Sequence, residues 1–196
     1  ARTQLYEQQI QAIFDAYMDK GGNNSGIDLE IMVPSVKTKD DLMFVKNMAE
    51  KIAAKTAKEH GLTKIDYKFG MMLETVEAAK IMKELAPLVD FVSFGTNDLT
   101  KAVLGISRSG TRDLNEYPVD PFDTIHPKVL GIMADAIKDI KAVKSSVEIS
   151  VCGRHAEDSD SLEKFSEIGI DCFSAPPTKQ GHYARAADWI MDNIRN

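Results

Sequence analysis

Cysteine is scarce in this sequence: Cys152 and Cys172 are the only two in 196 residues. Their spacing is of neither the zinc nor the redox type, which excludes a small metal module and a disulfide scaffold. Nothing at the N-terminus reads as a signal peptide, so both are expected as free thiols in a reducing cytoplasm. Long apolar runs are also missing. None reaches the roughly 20 residues that a membrane-spanning helix needs. Lys and Arg are nowhere clustered, and the formal net charge is −6. That balance argues against nucleic acid as a partner, because phosphate contacts need grouped cations. No Gly-rich phosphate loop and no low-complexity segment occurs. An initiator Met is absent too: the chain opens "ARTQLYEQQIQAIF" and enters a helical pattern at once, the expected look of a fragment or processed piece.

What is present is ordinary for a globular chain, with 43% hydrophobic and 28% charged residues. Strand and helix patterns alternate. Leu5, Ile10, Ile13, Phe14 and Tyr17 recur at helical spacing ahead of Gly21 and Gly22. "DLEIMVPS" is the first strand. The helix after it should start with a capping box at Thr38 and Asp41 and bury Leu42, Val45, Ala49, Ile52 and Thr56. "YKFGMMLE" is the second strand, followed by one short helix over "VEAAKIMKELA". "VDFVSFG" is the third, with a helix expected over 98–104. "VEISVCG" is the fourth, and its helix should be capped by Asp158 or Ser159. "IDCFSAP" is the fifth, and a last helix carries Tyr183, Ala187, Ile190, Met191 and Ile194. The strands are near-continuous apolar runs, as in parallel strands buried on both faces. The fold class is therefore α/β, as one domain over 1–196. One connection, 105–126, is long and polar, with the look of a lid or a disordered segment. A helix should begin at Pro127.

Each strand ends on polar residues: Glu74 after the second, Gly95, Thr96, Asn97 and Asp98 after the third, Cys152, Gly153, Arg154 and His155 after the fourth, Ser174 after the fifth. Parallel strands gather such ends at one rim, where α/β proteins bind ligands. Glu74 and Asp98 follow consecutive strands, which lie about 5 Å apart. Two carboxylates with waters and substrate oxygens suit Mg²⁺ or Mn²⁺. The alternative is that they, with Thr96 and Asn97, cap the following helices. Cys152 could move a proton, or be a small buried hydrophobe. Cys172, inside a strand, reads as structural. His155 could orient a substrate or polarise the thiol, or do neither. Arg108, and less so Arg112, could clamp a carboxylate or phosphate.

These stretches resemble a known family. "IMVPSV", "MMLETVEAA", "SFGTNDLT", "LGISR" and "VCGRH" occur in the order and spacing of the phosphoenolpyruvate-utilising enzymes, over essentially the whole chain. "LGISR", "DPFDTI" and "CGRH" are most similar to the dikinase branch. The resemblance implies the last five βα units of a (β/α)₈ barrel that binds phosphoenolpyruvate or pyruvate with Mg²⁺. It implies Glu74 and Asp98 as metal ligands, and Asn97, with Gly95 and Thr96, at the substrate oxygens. It further implies Arg108 at the phosphate and Cys152 as the proton donor to C3 of the enolate. Gly153 and His155 would flank that site.

The same resemblance implies a phosphohistidine domain and a nucleotide-binding domain elsewhere in the parent. It also implies a homodimer of the parent through this domain, in the cytoplasm or, in a plant, the plastid. Phosphoenolpyruvate synthase and the first enzyme of the sugar phosphotransferase system are the alternatives within the class. A non-catalytic dimerisation or ligand-binding module is the alternative outside it. The chain departs from the family pattern at Val76, at Arg154, at "AED" after His155, and in "SAPPTKQGHYARAA". Arg154 beside Cys152 is expected to lower the thiol's pKa. A five-strand piece should leave two open sheet edges.

Overall fold

The computed structural model describes residues 2–107 and 116–175. Helix α1 (Arg2–Asp19) opens the chain, and strand β1 (Glu30–Val33) follows. Helix α2 (Lys39–Glu59) starts on the expected capping box: Asp41 N–H donates to Thr38 Oγ1 at 3.2 Å, and Thr38 N–H donates back to Asp41 Oδ2 at 2.8 Å. Strand β2 (Lys68–Leu73) leads into two short helices, α3 (Val76–Ala79) and α4 (Met82–Leu85). Strand β3 (Phe91–Gly95) runs directly into helix α5 (Thr96–Leu104). Helix α6 (Pro127–Val143) has Pro127 in its first turn and His126 as its cap. Strand β4 (Glu148–Cys152), helix α7 (Ser159–Glu167) and strand β5 (Cys172–Ser174) complete the described part.

The strands form one parallel sheet in the order β1-β2-β3-β4-β5. Strict sequential order with helical crossovers is the arrangement of an arc of a (β/α) barrel. Among the described residues β1 and β5 are the outer strands of this sheet. Alternation along the strands divides its two faces. Ile31, Val33, Phe69, Met71, Leu73, Val92, Phe94, Ile149 and Val151 join the main apolar core with Phe14 and Leu42. The opposite face carries Met32, Gly70, Phe91, Ser93, Gly95 and Cys152. There Phe91 lies across Gly70, so close that a β-carbon on Gly70 would fall 2.5 Å from its ring. Lower on this face Lys68 Nζ bridges Glu30 (3.1 Å) and Glu148 (3.3 Å).

Several expectations need correction. The single helix over "VEAAKIMKELA" is broken at Ile81, whose ψ of 22° is not helical. The periodicity hides the break because Ala78, Ala79, Met82 and Leu85, all buried, keep helical spacing across it. Helix α5 starts at Thr96, two residues before the expected 98, so Thr96 and Asn97 belong to its first turn rather than to a strand end. In α1 the inward face is Ile10, Phe14 and Tyr17, while Leu5 and Ile13 are exposed. Cys172 is exposed at the start of β5. The end of the long connection is not a solvated lid: Phe122 and Ile125 are buried, and Ile125 N–H donates to Ser161 Oγ at 2.8 Å. Arg108, Arg112, the Pro176–Pro177 pair and the proposed final helix lie outside the described residues.

Candidate functional site at the strand rim

Glu74 follows β2 and does not cap the helix after it. That cap is Thr75, whose Oγ1 accepts from Ala78 N–H at 3.2 Å and donates to Val36 O at 2.6 Å. Glu74 Oε1 instead accepts from Ser35 N–H (2.7 Å) and Ser35 Oγ (3.2 Å). Ser35 has φ 55°, the sole positive value outside glycine among the described residues. A left-handed serine costs conformational energy, and here it turns a backbone donor onto the carboxylate. Sequence reasoning missed Ser35; the Pro34–Ser35 turn was the only signal.

The other carboxylate oxygen lies over Gly95. A β-carbon at Gly95 would stand 3.0 Å from Glu74 Oε2 and 2.8 Å from Met72 Sδ. Gly95 is also the residue from which α5 starts, with no side-chain cap. Thr96, Asn97 and Asp98 are therefore not used as helix caps. Asp98 sits in the first turn, where a carboxylate is favoured by the helix dipole. It lines the same cleft as Glu74, a space of about 620 Å³. Among the described residues no group of three His, Cys, Asp or Glu side chains assembles for a metal. Two carboxylate residues lining one cleft fit a hard divalent ion that completes its shell with water and substrate. A larger groove, about 750 Å³, runs between α1 and α2, away from the rim.

Cys152 pairs in register with Gly95, so Glu74 and Cys152 flank one glycine on one face of the sheet. Cys152 does not line the 620 Å³ cleft. Its Sγ is 3.6 Å from Phe94 O. Burial pushes the thiol pKa up; a hydrogen bond with Ser93 opposes this and the Glu74 charge adds to it. Arg154 does not lower it, contrary to expectation, because its guanidinium pairs with Asp123 instead.

The turn after β4 is fastened to the start of α5. Thr96 Oγ1 donates to Cys152 O (2.9 Å) and Arg154 N–H donates to Asn97 Oδ1 (3.3 Å). Gly153, at φ 110°, brings its backbone so close that a β-carbon would fall 2.7 Å from Thr96 Oγ1. His155 is wholly buried, with Nδ1 2.8 Å from Thr96 Oγ1 and Nε2 2.9 Å from Pro121 O. A carbonyl only accepts, so Nε2 carries a proton. A neutral ring then competes with Cys152 O for the single hydroxyl proton of Thr96. Protonation would end the competition, but burial pushes the His155 pKa down. Thr96 and His155 were expected at the substrate. The structure places both beneath the rim, with their polar atoms spent on Cys152 O and Pro121 O.

A family model described as "PEP-utilising enzyme, PEP-binding domain" matches residues 1–186. The chloroplastic pyruvate, phosphate dikinase of Flaveria pringlei is 34% identical over 184 residues, covering 89% of this chain and 19% of that protein. Chloroplastic pyruvate, phosphate dikinase 1 of Arabidopsis thaliana is 34% identical over 185 residues, with coverage of 89% and 19%. The chain thus spans about a fifth of the length of these relatives. Among solved structures, a Haloferax volcanii malate synthase in a pyruvate/acetyl-CoA ternary complex superposes with a TM-score of 0.62 at 17% identity. That match covers 92% of this chain and 46% of the other, and it speaks to the fold alone. No helix among the described residues is long and apolar enough to cross a membrane.

Proposed function

The chain belongs to the PEP-utilising enzyme family, within its PEP-binding domain, and on that premise we propose that it is the phosphoenolpyruvate- and pyruvate-binding portion of a dikinase. The observation that carries this reading is the arrangement at the rim. Glu74 reaches over Gly95, which pairs in register with Cys152, and Asp98 lies in the first turn of the helix that Gly95 starts. A dikinase is favoured over the synthase and the sugar-system enzyme because the relatives at 34% identity are dikinases.

In this reading Glu74 and Asp98 hold Mg²⁺, or Mn²⁺, which when bound stabilises negative charge on the enolate oxygen of the substrate. Ser35 fixes one oxygen of Glu74 and leaves the other for the ion. Asn97, with Oδ1 taken by Arg154 N–H, offers Nδ2 to substrate oxygens as a donor. The Cys152 thiol gives its proton to C3 of pyruvate enolate, and the thiolate takes it back in the reverse direction. A raised pKa suits the forward step, because the thiol then holds its proton at neutral pH. Thr96, Gly153 and His155 set the position of Cys152 and Asn97. Arg108 at the phosphate, the phosphohistidine domain as partner, dimerisation and a cytoplasmic or plastid location rest on the family resemblance.

The test is the exchange of pyruvate methyl protons in D₂O with Mg²⁺, in the full-length enzyme that this reading implies. Cys152→Ala should abolish exchange and leave Mg²⁺ affinity unchanged. Exchange that survives the substitution removes Cys152 from the mechanism.

A further inference from the structure

We propose that the second face of the sheet seats upstream strands of a longer parent chain, and that these strands bring a lysine or arginine to the level of Glu30, Lys68 and Glu148. This rests on the functional reading above, in which the chain is part of a longer enzyme, and adds what the rest of that enzyme carries. One face of the sheet packs on the helices through the main core. The other holds Met32, Lys68, Phe91, Glu148 and Cys172, and parallel sheets are covered on both faces. Here Met32 is 40% exposed and Cys172 is exposed. The chain spans about a fifth of the length of its dikinase relatives, so a covering segment has ample chain to come from.

Charge selects the kind of partner. Glu30, Lys68 and Glu148 are the first residues of β1, β2 and β4. Lys68 Nζ serves both carboxylates, at 3.1 and 3.3 Å. Neighbouring acids at this end of the sheet have a lysine each: Asp66 has Lys64, Asp90 has Lys144 and Asp171 has Lys141. The Glu30–Lys68–Glu148 layer is one cation short, and Asp28, which lines the same pocket as Lys68, adds to the deficit. The three side chains are 39%, 45% and 44% exposed, so water still screens the surplus. Cover removes that water, and an unmatched carboxylate out of water is strongly unfavourable. A cation on the covering strand matches it. A second copy of this face would bring the same surplus and be repelled. Residues 108–115 join the described chain at the rim cleft and 176–196 follow the rim end of β5, so neither attaches at this level of the sheet.

Cys172, which pairs with Ser150 on the same face, reports both halves of the claim. In the full-length enzyme its reaction with iodoacetamide is followed by mass spectrometry of the peptide that carries it. Labelling should be about a hundredfold slower than in urea-unfolded protein, at a rate that dilution does not change. Labelling near the unfolded rate overturns the cover, and protection lost on dilution overturns it in favour of a second copy. The urea midpoint at which Cys172 becomes reactive should fall by about 1 M in Glu148→Gln and in Glu30→Gln, because either change leaves a cation unmatched. A midpoint unchanged or raised in either variant overturns the cation, since loss of a surplus carboxylate would then relieve the layer. Should one variant fail to fold, the other decides. Neither readout involves Mg²⁺ or substrate, so an enzyme that fails the proton-exchange test still answers this one.

Discussion

The Glu74 carboxylate lies across the bare face of Gly95, with Oε2 3.0 Å from where a β-carbon would stand. Backbone conformation does not demand glycine there, since φ is −80°. Space demands it. Gly95→Ala should push Glu74 and Met72 aside, costing about 1–3 kcal/mol of stability from overpacking. Divalent-ion affinity should fall with it. Urea unfolding and Mn²⁺ titration of the same variant read both effects. An alanine variant with unaltered Mn²⁺ affinity would show that the carboxylate does not depend on this gap.

Arg154 and Cys152 are neighbours in sequence but not electrostatic partners. In a Cys172→Ser background, the iodoacetamide reaction of Cys152 should titrate above the ordinary thiol range, because burial raises its pKa. Replacing Arg154 with Gln should leave that profile in place, since the guanidinium is spent on Asp123. A shift to still higher pH in Arg154→Gln would show that the cation does act on the thiol.

Buried His155 links stability to pH. Its pKa is lowered, first by burial, with Arg154 adding to the effect and Pro121 O, Asp158 and Asp123 opposing it. A group whose folded pKa lies below its unfolded value stabilises above the unfolded pKa, near 6.5 for histidine, and this is lost as pH falls. Urea midpoints should therefore drop between pH 7.5 and 5.5. The drop should be smaller in His155→Gln, whatever that variant's stability at neutral pH. An equal drop in both proteins would assign the acid sensitivity to other groups.

Local signals carried far into this fold. The Thr38–Asp41 capping box, Asp158 as the cap of α7 and Pro127 at the start of α6 are each written within four residues. The five strands were legible as short, mostly apolar runs, although burial on both faces, expected of all five, holds along β2 and β3 and gives way to alternation in β1 and β4. Glu74, Asp98 and Cys152 were legible as rim positions because parallel strands bring their C-terminal ends to one edge. What escaped depends on neighbours distant in sequence. Ser35 grips Glu74 across 39 residues, and His155 reaches Thr96 across 59. Nothing near Arg154 announces Asp123 as its partner. Cys172 is exposed where β5, among the described residues, pairs with β4 alone, and the run "IDCFSAP" does not tell which strands flank it.

The central claim is that Glu74 and Asp98 form a divalent-ion site at the rim. Mn²⁺ added to ¹⁵N-labelled chain tests it most directly, because the ion broadens amide signals close to it. Broadening should centre on Ser35, Glu74, Gly95 and Asp98, and should vanish from them in Asp98→Asn and in Glu74→Gln. Broadening centred elsewhere, such as around Asp66 or Asp171, or unchanged in both variants, would contradict the account.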